Sequence, residues 1–283
     1  MGFIRIMAWI FCAIFVSCQA IAEPLHVIYP RVMSNGKDAF GYRVLKLALD
    51  ESGVDYRLSL TEAVMNHDRA REMVKGGRAS VFDFGTSPAY EKELLPIYFP
   101  IDRGLNGWRL FVIKRERQKD FDKIKTLADL RKMTAGQGPW ADRAVLEASG
   151  IHVITAPFPS LFRMVQAGRF DFFPLGVNEV YSLLDLHLAE SPDLMVEKHI
   201  VLIYPFGRLF FVQKGNQRLH DIIQRGLERA WTDGSFLRLF NNDPAFRQAL
   251  QNADLRDRVK IRIPNPYLTE RFRQIPKEYF FSE

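Results

Sequence analysis

Two stretches of this chain read almost as one phrase. "MVKGGRASVFDFG" runs from Met73 to Gly85 and "MVQAGRFDFFPLG" from Met164 to Gly176, with Met, Val, Gly, Arg, Phe and Gly recurring in step. A second pair of echoes follows them, "RLFVIK" from Arg109 and "RLFFVQK" from Arg208. Each long phrase predicts the same local structure: the end of a helix, a glycine stop, an arginine, a strand and a glycine turn. A chain that repeats such a unit about ninety residues apart is expected to build one architecture twice.

The surroundings of the two phrases repeat as well. "LHVIYP" (25–30) predicts a short buried strand. "YRVLKLALDESG" places Val44, Leu45, Leu47, Ala48 and Leu49 on one helical face and stops at Gly53. "YRLSL" predicts a second strand, "HDRAREMVKGG" a helix and "SVFDFG" a third strand. After "LADL" the order restarts, with "MTAG", "IHVITA" and "FDFFPLG" as strands and "WADRAVLEASG", "SLFRMVQAG" and "NEVYSLLDLHLA" as helices. Strand and helix in alternation is the signature of parallel α/β structure.

The shorter echoes fix the expected connectivity. "GWRLFVIK" leaves the first unit and "FGRLFFVQK" follows the second, each an apolar run able to cross between units. The amphipathic helix "RLHDIIQRGLERAW" and then "GSFLRLF" come after the return strand, and the first unit is the natural place for them to pack. The expectation is an α/β fold of two lobes, each a mostly parallel sheet flanked by helices. Residues 23–112 plus 206–283 form lobe 1, and 113–205 form an inserted lobe 2. Arg109 and Arg208 open the two crossover strands and mark the hinge, where few dihedral changes are needed to move one lobe.

Residues 1–22 stand apart. "MGFIR" carries Arg5, the apolar run "IMAWIFCAIFVSC" follows, and "AIA" ends at Ala22. This predicts a secretory signal peptide cleaved after Ala22 and a periplasmic location. The apolar run is shorter than the roughly 20 residues needed to span a bilayer, and the residues before Cys18 are poor for lipid anchoring. Cys12 and Cys18 are the two cysteines of the chain. A chain beginning at Glu23 therefore has no thiol for catalysis, metal binding or disulfides. The net charge of +6 becomes +5 without Arg5, and its basic residues are interleaved with acids, as in "RERQKDFDKIK". That is a solvated surface rather than a nucleic-acid face.

The run from "LADLRKMTAGQGPWADRAVLEASG" to "FDFFPLGVNEVY", the segment "GRASVFDFGTSPAYEKELLPIYFPI" and the late "DGSFLRLF" together resemble the extracytoplasmic solute-binding proteins of type 2 fold, family 3-like, the group best known for polar amino acids. The resemblance covers most of residues 25–240, and the tail "IRIPNPYL…KEYFF" lies outside its general pattern. It implies capture of a small-molecule ligand in the interlobe cleft by hinge closure, for an inner-membrane ABC permease. A membrane sensor is the alternative partner.

Ligands of α/β lobes settle at strand C-termini and helix N-termini. That places the candidate ligand-binding residues at Tyr29, Arg31, Thr86, Ser87, Tyr90, Gln137, Gly138, Trp140, Asn178 and Glu179. Each has a plainer alternative: Trp140 as core, Thr86, Ser87 and Asn178 as helix caps, Arg31 as a solvated loop residue. Two positions depart from the family. Tyr90 stands where amino-acid binders carry the arginine that grips the ligand carboxylate, and Gly176 stands where they carry the aspartate that holds the ammonium. Arg31, Arg103 and Arg109 are the candidate replacements for the lost positive charge.

Enzyme motifs are missing from the sequence. The six histidines, at 26, 67, 152, 187, 199 and 220, lack metal-ligand spacing, and no G-x-S-x-G elbow, Walker loop or complete G-x-G-x-x-G occurs. No cofactor, metal or catalytic residue is expected. One enzymatic alternative is a dehydratase on the same fold, with Glu179 as its general acid or base.

Overall fold

The structure is a computed structural model describing residues 23–32 and 36–282. The expected signal peptide lies outside the described residues. No helix among the described residues is long and apolar enough to cross a membrane.

The chain begins with β1 (Leu25–Val32), α1 (Phe40–Ser52), β2 (Tyr56–Met65), α2 (His67–Lys75), β3 (Val81–Gly85), α3 (Pro88–Glu93) and β4 (Leu94–Ile97). It continues through β5 (Trp108–Lys114), α4 (Gln118–Phe121), α5 (Leu127–Leu130), β6 (Thr134–Gln137), α6 (Arg143–Ala148), β7 (His152–Thr155), α7 (Phe158–Gln166), β8 (Phe173–Gly176), α8 (Val180–Asp185), β9 (Leu194–Val196) and β10 (Ile200–Ile203). It ends with β11 (Arg208–Gln213), α9 (Gln217–Thr232), α10 (Ser235–Asn242), α11 (Pro244–Ala253), β12 (Val259–Arg262) and α12 (Glu270–Arg273).

The two long phrases fold alike. Gly77 and Gly168 take left-handed φ values of 70° and 66°. In each phrase the glycine N–H donates to the third residue before it (Gly77 to Val74, Gly168 to Val165), and the following arginine N–H to the fifth residue before it (Arg78 to Met73, Arg169 to Met164). These are two Schellman helix ends, which need a residue that tolerates positive φ at that position. The phrases close on Gly85 and Gly176, and each closing glycine faces one of the echoed arginines across an antiparallel ladder. Gly85 pairs with Arg208 and Gly176 with Arg109.

One side of the molecule is built on β1 and β2 in parallel, with β11 running antiparallel between β3 and β4. The Ser80 N–H, one residue before β3, donates to Ile28 O of β1 at 2.8 Å. Helices α1 and α9 pack together here, so closely that a Cβ on Gly226 would lie 1.8 Å from Ala48 O. The other side has β6 and β7 in parallel, β6 bridged to Phe172, and β5 antiparallel to β8, β9 and β10. The apolar residues sort accordingly. One core gathers Val27, Leu45, Phe82, Phe210 and Ile223, and two further clusters cover the faces of the second sheet, around Phe162 and Phe173 and around Phe111 and Phe172.

Three expectations change. Parallel pairing is confined to β1–β2, β6–β7 and β10–β12, because β11 runs antiparallel to β3 and β4, and β5 antiparallel to β8, β9 and β10. β5 belongs wholly to the second sheet, so the first crossing lies before Trp108 rather than at residue 112. The chain after α10 does not stay with lobe 1. Phe246 and Leu255 enter the second core, and β12 pairs with β10 in register Ile200–Val259 to Ile203–Arg262. It then returns, burying Phe272 and Ile275 in the first core. Among the described residues the chain thus crosses between lobes four times, near residues 101–107, 204–207, 236–246 and 263–268.

Asp102 ties the first two crossings together. Its buried carboxylate accepts N–H bonds from Gly104 at 3.1 Å, Asn106 at 2.9 Å and, on the other crossing, Arg208 at 2.9 Å. Burial raises its pKa, and the three backbone donors partly offset that rise. Asp102→Asn retains the Oδ1 acceptor but turns an amide donor toward the Asn106 N–H. We expect it to cost about 2 kcal/mol, read as a lower urea midpoint at unchanged slope.

Candidate functional site

The echoed arginines sit in matching clusters, one per lobe. On the first lobe, Arg208 Nε donates to Asp83 Oδ2 at 2.7 Å and Nη2 to the Asp83 carbonyl at 2.8 Å. Tyr29 OH donates to the other carboxylate oxygen. On the second lobe, Arg109 Nη2 donates to Asp142 Oδ2 at 2.6 Å and Nε to Tyr204 OH at 2.7 Å, while Tyr204 OH donates to Asp142 at 3.0 Å. Each cluster is therefore an arginine, an aspartate and a tyrosine at the mouth of a crossing strand. Burial, followed by the neighbouring aspartate, holds the Tyr29 hydroxyl well above its ordinary pKa. The Tyr204 hydroxyl is also held well above, chiefly by burial, although Arg109 pulls the other way. Burial works against both guanidinium charges, but their partners outweigh it and both arginines stay charged.

The clusters differ in what they leave free. The Arg109 side chain is 4% exposed and all its nitrogens have partners, since Nη2 also donates to Asn106 Oδ1 at 3.3 Å and Nη1 lies 3.6 Å from Glu179 Oε1. The Arg208 side chain is 25% exposed, and its Nη1 makes no hydrogen bond to another described residue. The carboxylate of Glu179 on the second lobe is near enough to add to the stability of the Arg208 charge. Arg208 thus keeps one guanidinium nitrogen without a hydrogen bond among the described residues, with a second-lobe carboxylate close enough to act on its charge.

The second lobe supplies a polar counterpart around Gly176. A Cβ there would meet Asn178 Oδ1 at 2.6 Å, Asn106 Nδ2 at 2.9 Å and Glu179 Oε1 at 3.2 Å. Only glycine fits there, because three polar groups from two segments converge on the point that a Cβ would take. Asn178 Oδ1 is buried with no partner among the described residues, whereas Glu179 Oε1 accepts the Gly176 N–H at 3.1 Å.

The remaining candidate residues fall into two groups. Gln137 is buried beside the Arg109 cluster, donating to Asp142 at 3.2 Å and accepting the Gly138 N–H at 3.1 Å. Gly138 has no room for a Cβ because the Trp140 indole lies over it, and Trp140 is 40% exposed against Phe158 at 5.7 Å. Arg31 lies near the end of β1 with its amide on Thr61 Oγ1 at 2.9 Å, and its buried Nε has no partner among the described residues. Thr86, Ser87 and Tyr90 have structural partners instead. The Thr86 hydroxyl donates to Glu91 at 2.7 Å, Ser87 caps α3 through the Tyr90 N–H, and the Tyr90 ring packs on Phe84 and Phe211 with Arg71 5.1 Å above it. Arg103, a candidate for the replacement charge, is committed to the chain end. Its Nη2 donates to the Phe280 carbonyl at 3.0 Å. Sequence reasoning missed Asp83, Asp142, Tyr204 and Asn106. For Asp83 the signal was present, because an acid inside the apolar run "VFDFG" must find a buried cation.

No family model matches this sequence, and no curated protein does. Solved structures do. An ancestral arginine-binding protein with glutamine bound superposes with a TM-score of 0.53 at 16% identity, over 78% of this chain and 98% of that one. A Streptococcus pneumoniae amino acid ABC transporter substrate-binding protein with L-arginine bound gives 0.54 at 11% identity, over 80% and 94%. The chain has the periplasmic binding protein fold. A histidine kinase sensor domain with similarity to periplasmic binding proteins also matches, at 0.53 and 15% identity, over 77% of this chain and 94% of that one. The two arginine clusters stand at the starts of β11 and β5, beside the first two crossings between the lobes. About a fifth of the chain has no counterpart in these structures.

Proposed function

We propose that this is an exported binding protein that captures a small polar solute with an anionic group between its lobes, without chemical change. The observation that carries this reading is the Nη1 of Arg208, without a hydrogen bond among the described residues, within electrostatic reach of Glu179 in the polar group at Gly176. A carboxylate accepts well from a guanidinium edge. The acceptors Asn178 Oδ1 and Glu179 Oε1 suit an N–H or O–H group on the far side of the same solute. Trp140, partly exposed above Gly138, offers a face to an aromatic solute. A solute touching both lobes favours the closed state only by its extra contacts there.

The reading is tested by a thermal-shift panel of amino acids, carboxylates and sugars on the chain starting at Glu23, followed by calorimetry and mass spectrometry. A true ligand at a hundred times its dissociation constant adds about 2.7 kcal/mol, with saturable heat and the compound recovered intact. Conversion to a dehydrated product would replace the binder by the dehydratase. A panel without any shift would remove the reading.

Delivery to an ABC permease is the first proposal for the partner. The likeness to a kinase sensor domain supports a second, occupancy read by a membrane sensor. Permease and ATPase genes beside this one support uptake, and a kinase or cyclase gene supports sensing.

A further inference from the structure

The chain after α9 joins the lobes a second time, through a segment separate from the two crossing strands. α10 packs on α9 and α1 of the first lobe and carries Phe236 against Phe99 at 4.8 Å. α11 belongs to the second lobe, with Phe246, Ala253 and Leu255 in its core and Tyr181 OH of α8 donating to Asn252 O at 2.7 Å. Asp243 forms the corner between these helices. It is 1% exposed, caps α11 by accepting the Phe246 N–H at 3.0 Å, and pairs through its other oxygen with Arg43 on α1. Phe40, one turn earlier on α1, packs on Phe240 and, at 4.6 Å, on Phe246, and so touches the cores of both lobes.

The same turn of α1 reaches the solute site. A Cβ on Gly41 would lie 2.1 Å from Asp83 Oδ1 and 2.5 Å from Tyr29 OH, so the α1 backbone rests directly on the Arg208 cluster. Phe40, Gly41 and Arg43 thus lie between the acid that holds Arg208 and the corner anchored in the opposite lobe. The chain end adds a fourth crossing. Thr269 Oγ1 donates to Glu91 at 2.7 Å, and Phe281 N donates to the Arg103 carbonyl at 2.7 Å.

Two crossing strands alone permit rotation about the line that joins them. A third connection, pinned to both lobes, opposes that rotation until it is released. We propose that the α10–α11 corner is an interlobe latch, and that separation of the lobes requires Asp243 to part from Arg43. Packed interfaces hold discrete arrangements rather than yielding gradually, so the latch has a closed and a released state. Its position against the Arg208 cluster rests on the solute-site reading, but the latch itself does not depend on it.

The test uses ligand-free protein. Because cysteine occurs only at positions 12 and 18, the chain from Glu23 accepts spin labels uniquely at Val64→Cys on the first lobe and Leu186→Cys on the second, both exposed. Pulsed electron–electron resonance then reports the distance distribution between lobes. Arg43→Gln and Asp243→Asn are each expected to shift the distribution to longer distances by more than the parent's spread. Asparagine retains the cap on α11. Arg43→Lys, which keeps the charge, is expected to stay close to the parent. Far-UV circular dichroism checks the fold, and if one variant does not fold the other decides. An unchanged distribution in a folded Arg43→Gln or Asp243→Asn protein would overturn the latch. A solute panel without hits would leave this result standing, since no ligand is involved.

Discussion

Arg109→Met is expected to destabilise the protein by about 3–5 kcal/mol, the range for stripping the partner from a buried charge. The arginine and Asp142 side chains are 4% and 3% exposed, so water cannot replace the lost cation. After the substitution the Asp142 carboxylate retains, among the described residues, the Tyr204 hydroxyl and the Gln137 amide. Glu179 loses the guanidinium 3.6 Å from its oxygen, and Asn106 loses a donor. Methionine fills much of the volume, which separates the electrostatic loss from a cavity effect. Urea denaturation should show a lower midpoint with an unchanged slope. Arg109→Met combined with Asp142→Asn should recover at least half of the loss, since removing both charges of a buried pair is far milder than removing one. A loss under about 1 kcal/mol for the single variant would place the pair among weak, solvent-screened contacts and refute the buried-cluster account.

The sequence made the local grammar of this fold legible and left its distant partnerships hidden. Gly77 and Gly168 were readable as helix stops because a left-handed residue is a local requirement, and the apolar spacing of Val44, Leu45, Ala48 and Leu49 exposed α1 before any contact was known. The echoed "RLF" runs marked the crossings, yet the partners of their arginines were out of reach. Asp83 is 125 residues from Arg208, and Asp142 and Tyr204 are 33 and 95 from Arg109. Nothing in the periodicity of one segment names a buried counter-ion so far along the chain. Thr86 and Ser87 illustrate the opposite limit. Hydroxyls after a strand serve as caps or as ligand contacts with the same sequence, and their partners Glu91 and the Tyr90 N–H appear only in three dimensions. The tail was the largest surprise. "VKIR" is a plausible strand anywhere, and its choice of β10 as neighbour depends on which sheet still has an open edge.

Arg208 carries the second large expectation, and two substitutions separate its roles. Arg208→Lys retains a positive charge beside Asp83, so the fold should lose only about 1–2 kcal/mol. Lysine, however, offers one nitrogen where arginine offers a planar fork. In the parent, Nε and Nη2 hold Asp83 while Nη1 makes no hydrogen bond to another described residue. A single ammonium cannot hold the acid and reach a solute anion at once. For a carboxylate found in the solute panel, affinity should fall by roughly 10- to 150-fold, the equivalent of one charge-assisted hydrogen bond worth about 1.5–3 kcal/mol. Arg208→Gln should do more damage of a different kind. It leaves Asp83, 7% exposed, with the Tyr29 hydroxyl as its remaining side-chain partner, at a cost of about 3–5 kcal/mol in stability. Measuring affinity by calorimetry well below each variant's melting temperature keeps the two effects apart. Were Arg208→Lys to bind the carboxylate within threefold of the parent, Arg208 would be a structural counter-ion for Asp83. The solute's anion would then have to be sought at Arg31, near the end of β1, whose buried Nε has no partner among the described residues.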